Sequence, residues 1–296
     1  MRSPQGLRSP SARARRSVRP PRFQRGYALA VANQKGGVGK TTTAVNLAAA
    51  LAEMDCRVLL LDFDPQGNAS SGIGMRPEPG SPTIYEALSE AVPLIEALRP
   101  TSQPNLMLAP AAIDLAGAEI ELVGALSRER RLRRVLEPVR GAFDVVVIDC
   151  PPSLGLLTIN ALCAADGVIV PIQTEYYALE GLGAFRRSAE LVRTQLNPAL
   201  EITGFVLTML DGRTRLSQQV VQDVRRHLGA RVFNTRIPRT VRLAEAPSFG
   251  QPITMFDPTS RGAMAYRNLA AEVLNRLVQS HAQALAAAGA RQQVAR

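Results

Sequence analysis
Only two of the 35 basic residues in this 296-residue chain are lysines, and both fall in one glycine-rich segment, NQKGGVGKTTT at 33–43. The other 33 are arginines, so lysine stands at Lys35 and Lys40 where a guanidinium would serve poorly. Codon bias with two chance survivors is the plainer reading, and their shared loop argues against it. The spacing Lys35-Gly36-Gly37-Val38-Gly39-Lys40-Thr41 loosely fits a loop that cradles nucleotide phosphates. Glycines let successive backbone N–H groups turn inward and approach phosphate oxygens without Cβ clashes. A helix N-terminus just behind them adds aligned dipoles and unpaired donors. Lys40 is a compact charge able to reach β- and γ-phosphates, Thr41 offers a hydroxyl to Mg2+, and Thr42 continues the binding segment.

Acidic residues end two apolar runs. Asp149 closes FDVVVID and is followed by CPPS, the form of a strand whose carboxylate holds Mg2+ through water. Asp62 and Asp64 close LLLDFD, at the carboxyl edge of a second strand. In open α/β sheets ligands bind at that edge. Asp64 suits the orientation of an attacking water, and Asp62 suits either strand closure or support of Mg2+. A lone aspartate at a strand end is ordinarily a turn or helix cap; convergence on one phosphate loop favours function for Asp64 and Asp149.

The elements that position these groups can be read from periodicity. Strands are expected at 27–32, 57–62, 105–110, 143–149, 167–172 and 202–208, and helices at 41–54, 114–137, 155–165, 178–196, 214–229 and 260–285. Their alternation implies right-handed βαβ units, hence an α/β fold: a mostly parallel central sheet with helices on both faces. One domain is expected over 27–288. Residues 1–26 read as a disordered basic extension and 289–296 as a frayed tail. The basic start leaves a transit peptide open, whereas the lack of a following apolar stretch argues against export.

Charge is uneven. The chain carries a net +10, of which residues 1–25 hold +8 and residues 213–242 hold +7, leaving −5 for the rest. RERRLRR at 128–134 reads as surface ion pairing, and Arg225 and Arg226 as either a solvated helix face or a polyanion surface. No run approaches the roughly 18 apolar residues of a membrane span. Three scattered cysteines, Cys56, Cys150 and Cys163, are too few for a disulfide framework and fit a reducing compartment.

KGGVGKTT, with Lys35 ahead of the glycines, resembles the deviant Walker A motif of the ParA/MinD ATPases. DFDPQGNASSGIG (62–74), VVIDCPPSLGLLTINAL (146–162) and IPRTVRLAEAPSFGQPI (237–253) resemble its ParA/Soj chromosome-partitioning branch, so the likeness runs over about 27–275. The resemblance implies an ATP- and Mg2+-dependent homodimer in which Lys35 reaches the partner's nucleotide. Lys40 would bind phosphate, Thr41 Mg2+, and Asp64 would support hydrolysis. Gly36 would lie at the dimer contact, where a bulky side chain should obstruct closure. Pro238 and Thr240 would lie near adenine, although the family pattern has Asn where this chain has Thr240. It also implies non-specific DNA binding by the ATP dimer through Arg213 and Arg242, stimulation by a ParB-type partner, and a cytoplasmic, nucleoid-associated place of work. The near absence of aromatic residues in 213–242 argues for phosphate contact over base stacking.

Other classes fit less well. The alternative is a MinD-like ATPase positioning a protein assembly at a membrane or on the nucleoid; at a membrane it would carry an amphipathic C-terminal helix, whereas QALAAAGARQQVAR offers alanine and no lysine. An iron–sulfur reductase on this fold needs two cysteines per subunit at the dimer axis, and Cys150 and Cys163 read as structural. An N-terminal helix-turn-helix repressor is disfavoured because residues 1–25 lack apolar periodicity.

Overall fold
The computed structural model describes residues 25–175 and 180–294. The basic extension and the two final residues therefore lie outside the described residues, except for Arg25 and Gly26. Eight strands form one sheet: β1 (Tyr27–Val31), β2 (Val58–Asp62), β3 (Arg99–Pro100), β4 (Leu106–Ala109), β5 (Val145–Asp149), β6 (Gly167–Gln173), β7 (Glu201–Leu210) and β8 (Val232–Pro238). Their order is β3-β4-β2-β5-β1-β6-β7-β8, parallel except for the antiparallel β3–β4 pair. The helices are α1 (Lys40–Ala52), α2 (Asn68–Gly72), α3 (Ile84–Leu88), α4 (Leu94–Ala97), α5 (Leu115–Glu121), α6 (Arg131–Arg140) and α7 (Leu156–Ala164). They continue with α8 (Glu180–Gln195), α9 (Arg215–Leu228), α10 (Val241–Glu245), α11 (Ile253–Phe256) and α12 (Arg261–Val294).

Strands β2 and β5 are buried at every position, the pattern of strands covered on both faces, so they are apolar without alternation. Two cores flank the sheet. Ala28, Ala30, Val146 and Ile148 pack with α6, α7, α8 and α9, whereas Leu29, Val31, Val145 and Val147 pack with α1 and α12. Helix α1 buries eleven of its 13 residues, and its run of alanines lets it sit close against the sheet. The chain leaves β1 toward β2 on one side and leaves β5 toward β6 on the other. This reversal opens a crevice at the carboxyl ends of β1 and β5, and the phosphate loop occupies it.

Three expectations are corrected. The helix over 114–137 is broken into α5, two 3-10 turns and α6, with Gly124 and a left-handed Ser127 (φ 53°) in the break. Strand β8 was not anticipated. It is an edge strand whose VFNTRIP sequence mixes exposed polar residues with buried apolar ones. Helix α12 continues to Val294 beyond the expected end at 285.

Candidate active site
The loop between β1 and α1 turns through two left-handed glycines, Gly37 (φ 72°) and Gly39 (φ 81°). A Cβ is disfavoured at both, which explains why glycine stands there. Gly39 caps α1 without a side-chain hydrogen bond, leaving the helix's first N–H groups for a ligand. Two residues to which the sequence reading gives no role brace the loop. Asn33 Nδ2 donates to the Pro171 carbonyl at 2.7 Å while its Oδ1 accepts from Lys35 N–H, and the Thr208 hydroxyl donates to the Val38 carbonyl at 2.8 Å. The phosphate-loop spacing calls for neither: Asn33 stands two residues before Lys35 and reaches across to Pro171 on β6, and β7 brings Thr208 against the loop.

Lys40 is buried and its ammonium donates to the Lys35 carbonyl at 3.1 Å, lying across the mouth of the loop. Burial lowers its pKa, opposed mainly by the charge of Asp149. Lys35 faces outward, with its ammonium 3.4 Å from Glu175. The two lysines thus point to different places, one into the site and one out of the protomer. Thr41 and Thr42 are half-buried on the first turn of α1.

Register sets Asp62 opposite Asp149 and Val31 opposite Asp149, so three strand ends converge. Asp149 is fully buried and neither carboxylate oxygen makes a hydrogen bond among the described residues. Desolvation raises its pKa well above the ordinary carboxylate range, with the Asp62 charge adding to it; the nearby Thr41 hydroxyl opposes the shift without hydrogen-bond geometry. Asp62 is pushed to about 6, mainly by burial, although it accepts bonds from Ser70 N–H and hydroxyl at 2.7 Å and from Asp64 N–H at 3.3 Å. The Ser70 hydroxyl also accepts from Ala111 N–H. Asp62 therefore closes its strand and anchors α2, the first of its two expected roles. Asp64 is buried, its Oδ1 accepts from Gln66 N–H at 3.0 Å, and its Oδ2 has no partner among the described residues.

A desolvated carboxylate pair without a cation is costly. An unbonded Asp149 beside the Thr41 hydroxyl and the ammonium of Lys40 fits a divalent ion carried in with a nucleotide. Thr41 would hold Mg2+ directly and Asp149 through water. Among the described residues no three His, Cys, Asp or Glu side chains converge as a metal cage, so the phosphates would supply further ligands. Cys150 and Cys163 are buried and their thiols are pushed up by desolvation, which agrees with a structural role.

Pro238 ends β8, and Thr240 caps α10 by accepting from Leu243 N–H at 3.3 Å. Its hydroxyl is thus engaged in a helix cap. Leu210 pairs with Pro238, so the loops carrying Arg213 and Arg242 leave the same edge of the sheet as the phosphate loop. Arg213 is 91% exposed but paired with Asp211, which that guanidinium holds down at about 2. Arg242 pairs with Glu245 and Asp257 and stands 5.6 Å from the centre of the Phe256 ring.

The +7 stretch 213–242 does not form one patch. Helix α9 runs back along the sheet for about 20 Å, so that Arg225 and Arg226 near its end, and Arg231 in the 3-10 turn after it, lie at the opposite edge. Arg213, Arg215, Arg239 and Arg242 stay at the nucleotide edge. In RERRLRR, Arg128 pairs with Glu129 as expected, whereas Arg131 and Arg134 pair with Glu90; Glu137, the other expected partner, pairs with Arg25, and Arg130 and Arg133 make no ion pair among the described residues.

Residues 26–202 match the AAA domain family. The chain is 54% identical over 248 residues to the sporulation initiation inhibitor protein Soj of Bacillus subtilis (strain 168), covering 84% of this chain and 98% of that one. It is 50% identical over 260 residues to the chromosome partitioning protein ParA of Myxococcus xanthus (strain DK1622), covering 86% and 92%. Among solved structures, cobyrinic acid a,c-diamide synthase from Mycobacterium smegmatis, with bound ATP analog and magnesium, matches with a TM-score of 0.76 and 42% identity, over 86% of this chain and 97% of that one. The convergence of phosphate loop, buried aspartates and similarity over 84–86% of the chain places it in the ParA/Soj family of chromosome-partitioning ATPases.

Proposed function
We propose that the protein binds ATP with Mg2+, dimerises around the nucleotide, and in that state binds DNA without sequence preference to segregate a chromosome or plasmid. Hydrolysis, accelerated by a ParB-type partner, returns it to the free monomer. The observation that carries the nucleotide reading is Asp149, a fully buried carboxylate with no hydrogen bond among the described residues, opposite Asp62 and behind two left-handed glycines.

Backbone N–H groups of 36–41 would receive the phosphates, with Lys40 swinging from the Lys35 carbonyl onto the β- and γ-oxygens. Mg2+ would neutralise charge developing on those oxygens. Asp64 Oδ2, without a partner among the described residues, would accept a hydrogen bond from the water that attacks the γ-phosphorus as its bond to the β–γ bridging oxygen breaks. Lys35, whose ammonium pairs among the described residues with Glu175, would exchange that partner for the nucleotide of a second copy. The DNA reading rests on Arg213 and Arg242 leaving the same edge as the phosphate loop, so that dimerisation through that edge doubles the cationic surface. The place of work is then the cytoplasm, on the nucleoid. Among the described residues no helix is long and apolar enough to cross a membrane.

Two variants test the assignment by nucleotide binding and phosphate release. Lys40→Ala should abolish ATP binding. Asp64→Ala should bind ATP within about threefold of wild type while hydrolysing it at least about tenfold more slowly. Hydrolysis at the wild-type rate in Asp64→Ala would remove Asp64 from the reaction.

A further inference from the structure
The end of β7 touches the phosphate loop and, five residues later, reaches Arg213. Thr208 is buried, and its hydroxyl holds the carbonyl of Val38 at 2.8 Å. Val38 lies between the two left-handed glycines, so this bond fixes the peptide on which the loop turns. The next residue, Met209, has φ 51°, a left-handed conformation that side chains rarely adopt. Pairing of β7 with β8 slips between Leu207 and Leu210, so Met209 sits in a bulge. A Cβ added at Gly39 would lie 3.8 Å from Met209 Cε, so the methionine packs along the loop. Thr174 N–H donates to the Thr208 carbonyl at 3.3 Å, and its hydroxyl reaches the Thr208 and Met209 carbonyls at 3.5 Å. Beyond the bulge, Asp211 accepts from Arg213 N–H, Nε and Nη2 at 3.0–3.1 Å, and the Gly212 carbonyl accepts from Gln218 Nε2.

We infer that Thr208 and Met209 are positioning residues that couple the state of the phosphate loop to the Arg213 loop within a single protomer. A left-handed residue in a bulge has a discrete alternative: return to the extended region, which restores regular pairing and shifts the following residues along the ladder. Phosphates drawing in the loop's N–H groups move the Val38 peptide, and the Thr208 hydroxyl carries that movement to Met209. The Asp211–Gly212–Arg213 turn then changes, and Arg213 exchanges Asp211 for a DNA phosphate. Nucleotide control of the arginine is thereby built into the monomer, beside the doubling of the surface on dimerisation. The consequence for DNA rests on the function proposed above; the linkage itself does not.

Hydrogen exchange of the full chain, with and without ATP and Mg2+ and without DNA, tests the linkage through the amides of Gly212–Thr214. ATP should change wild-type exchange there at least fivefold. In Thr208→Val, compared with wild type at ATP concentrations that saturate each protein and with dimerisation verified by sedimentation, the change should fall below twofold. Met209→Gly, which removes the left-handed constraint while leaving the Val38 bond, should lose the response in the same way. In both variants the ATP-dependent gain in duplex DNA affinity should drop about tenfold. A wild-type-like response in Thr208→Val, or no response at 212–214 in wild type, overturns the inference. Should Thr208→Val fail to bind ATP, Met209→Gly decides by the same criteria. An intact exchange response without any DNA binding would leave the linkage standing and reject the DNA reading.

Discussion

Asp62 and Asp149 stand at paired register positions, both buried, and among the described residues one accepts three hydrogen bonds and the other none. Their raised pKa values are a cost that the nucleotide-free protein carries. At pH values below the ordinary carboxyl pKa of about 3.9, folded and unfolded forms of Asp149 are both protonated, and asparagine there should make little difference. As pH rises, the unfolded carboxyl ionises while the folded one keeps its proton, so wild type loses stability relative to Asp149→Asn until the raised folded pKa is passed. Each unit of elevation is worth about 1.4 kcal/mol. Thermal and urea unfolding without nucleotide should therefore show Asp149→Asn stabilising the protein more at pH 8 than at pH 5, while Mg2+-dependent hydrolysis is lost. An equal effect at both pH values would mean that Asp149 is not an electrostatically costly carboxylate. The residues of this site were legible because phosphate chemistry demands particular types at fixed spacing. Asn33 and Thr208 were not, because their roles come from hydrogen bonds to carbonyls, and polar residues that serve such carbonyls carry no spacing signal.

The link from β2 to α2 positions Asp64. Ser70 gives Asp62 two of its hydrogen bonds and receives one from Ala111 N–H, joining the β2 end, α2 and the segment after β4. Ser70→Ala should cost about 1–3 kcal/mol in urea unfolding, since it leaves a buried N–H unpaired and strips a bond from a desolvated carboxylate. It should also slow hydrolysis severalfold with ATP affinity retained, because Asp64 is two residues from Asp62. Unchanged stability would show that the network is dispensable. The buried strands β1, β2 and β5 were readable as apolar runs, and α1 and α7 from their bounds in the sequence. Strand β8 was hidden because an edge strand buries only part of its surface, and VFNTRIP carries too few apolar residues to announce itself. The break between α5 and α6 was hidden for a different reason: Ile113, Ile120, Val123 and Leu126 continue a helical apolar pattern yet are exposed, so periodicity there does not report burial.

At the scale of the molecule, one edge of the sheet gathers the phosphate loop, Lys35, Arg213 and Arg242, and α9 with the 3-10 turn after it carries three further arginines to the other edge. The net charge of 213–242 was thus a true count with a misleading geometry, since a parallel βαβ unit must return its helix to the start of the next strand. The shared edge also makes dimerisation testable at Gly36. A Cβ there meets nothing within 4 Å among the described residues, so Gly36→Val clashes with none of them. It should bind ATP and yet remain monomeric by sedimentation; a dimer of wild-type stability would place the contact elsewhere. The central claim, ATP-controlled DNA binding by this edge, is tested most directly by equilibrium binding of fluorescent duplex DNA to wild type and to Arg213→Ala/Arg242→Ala, with and without ATP and Mg2+, over a range of salt. The account predicts that wild type binds only with ATP, irrespective of sequence and with a log–log salt slope of about −0.9 per phosphate neutralised, and that the double variant loses this binding while still binding ATP. Undiminished, ATP-dependent DNA binding in the double variant would contradict it.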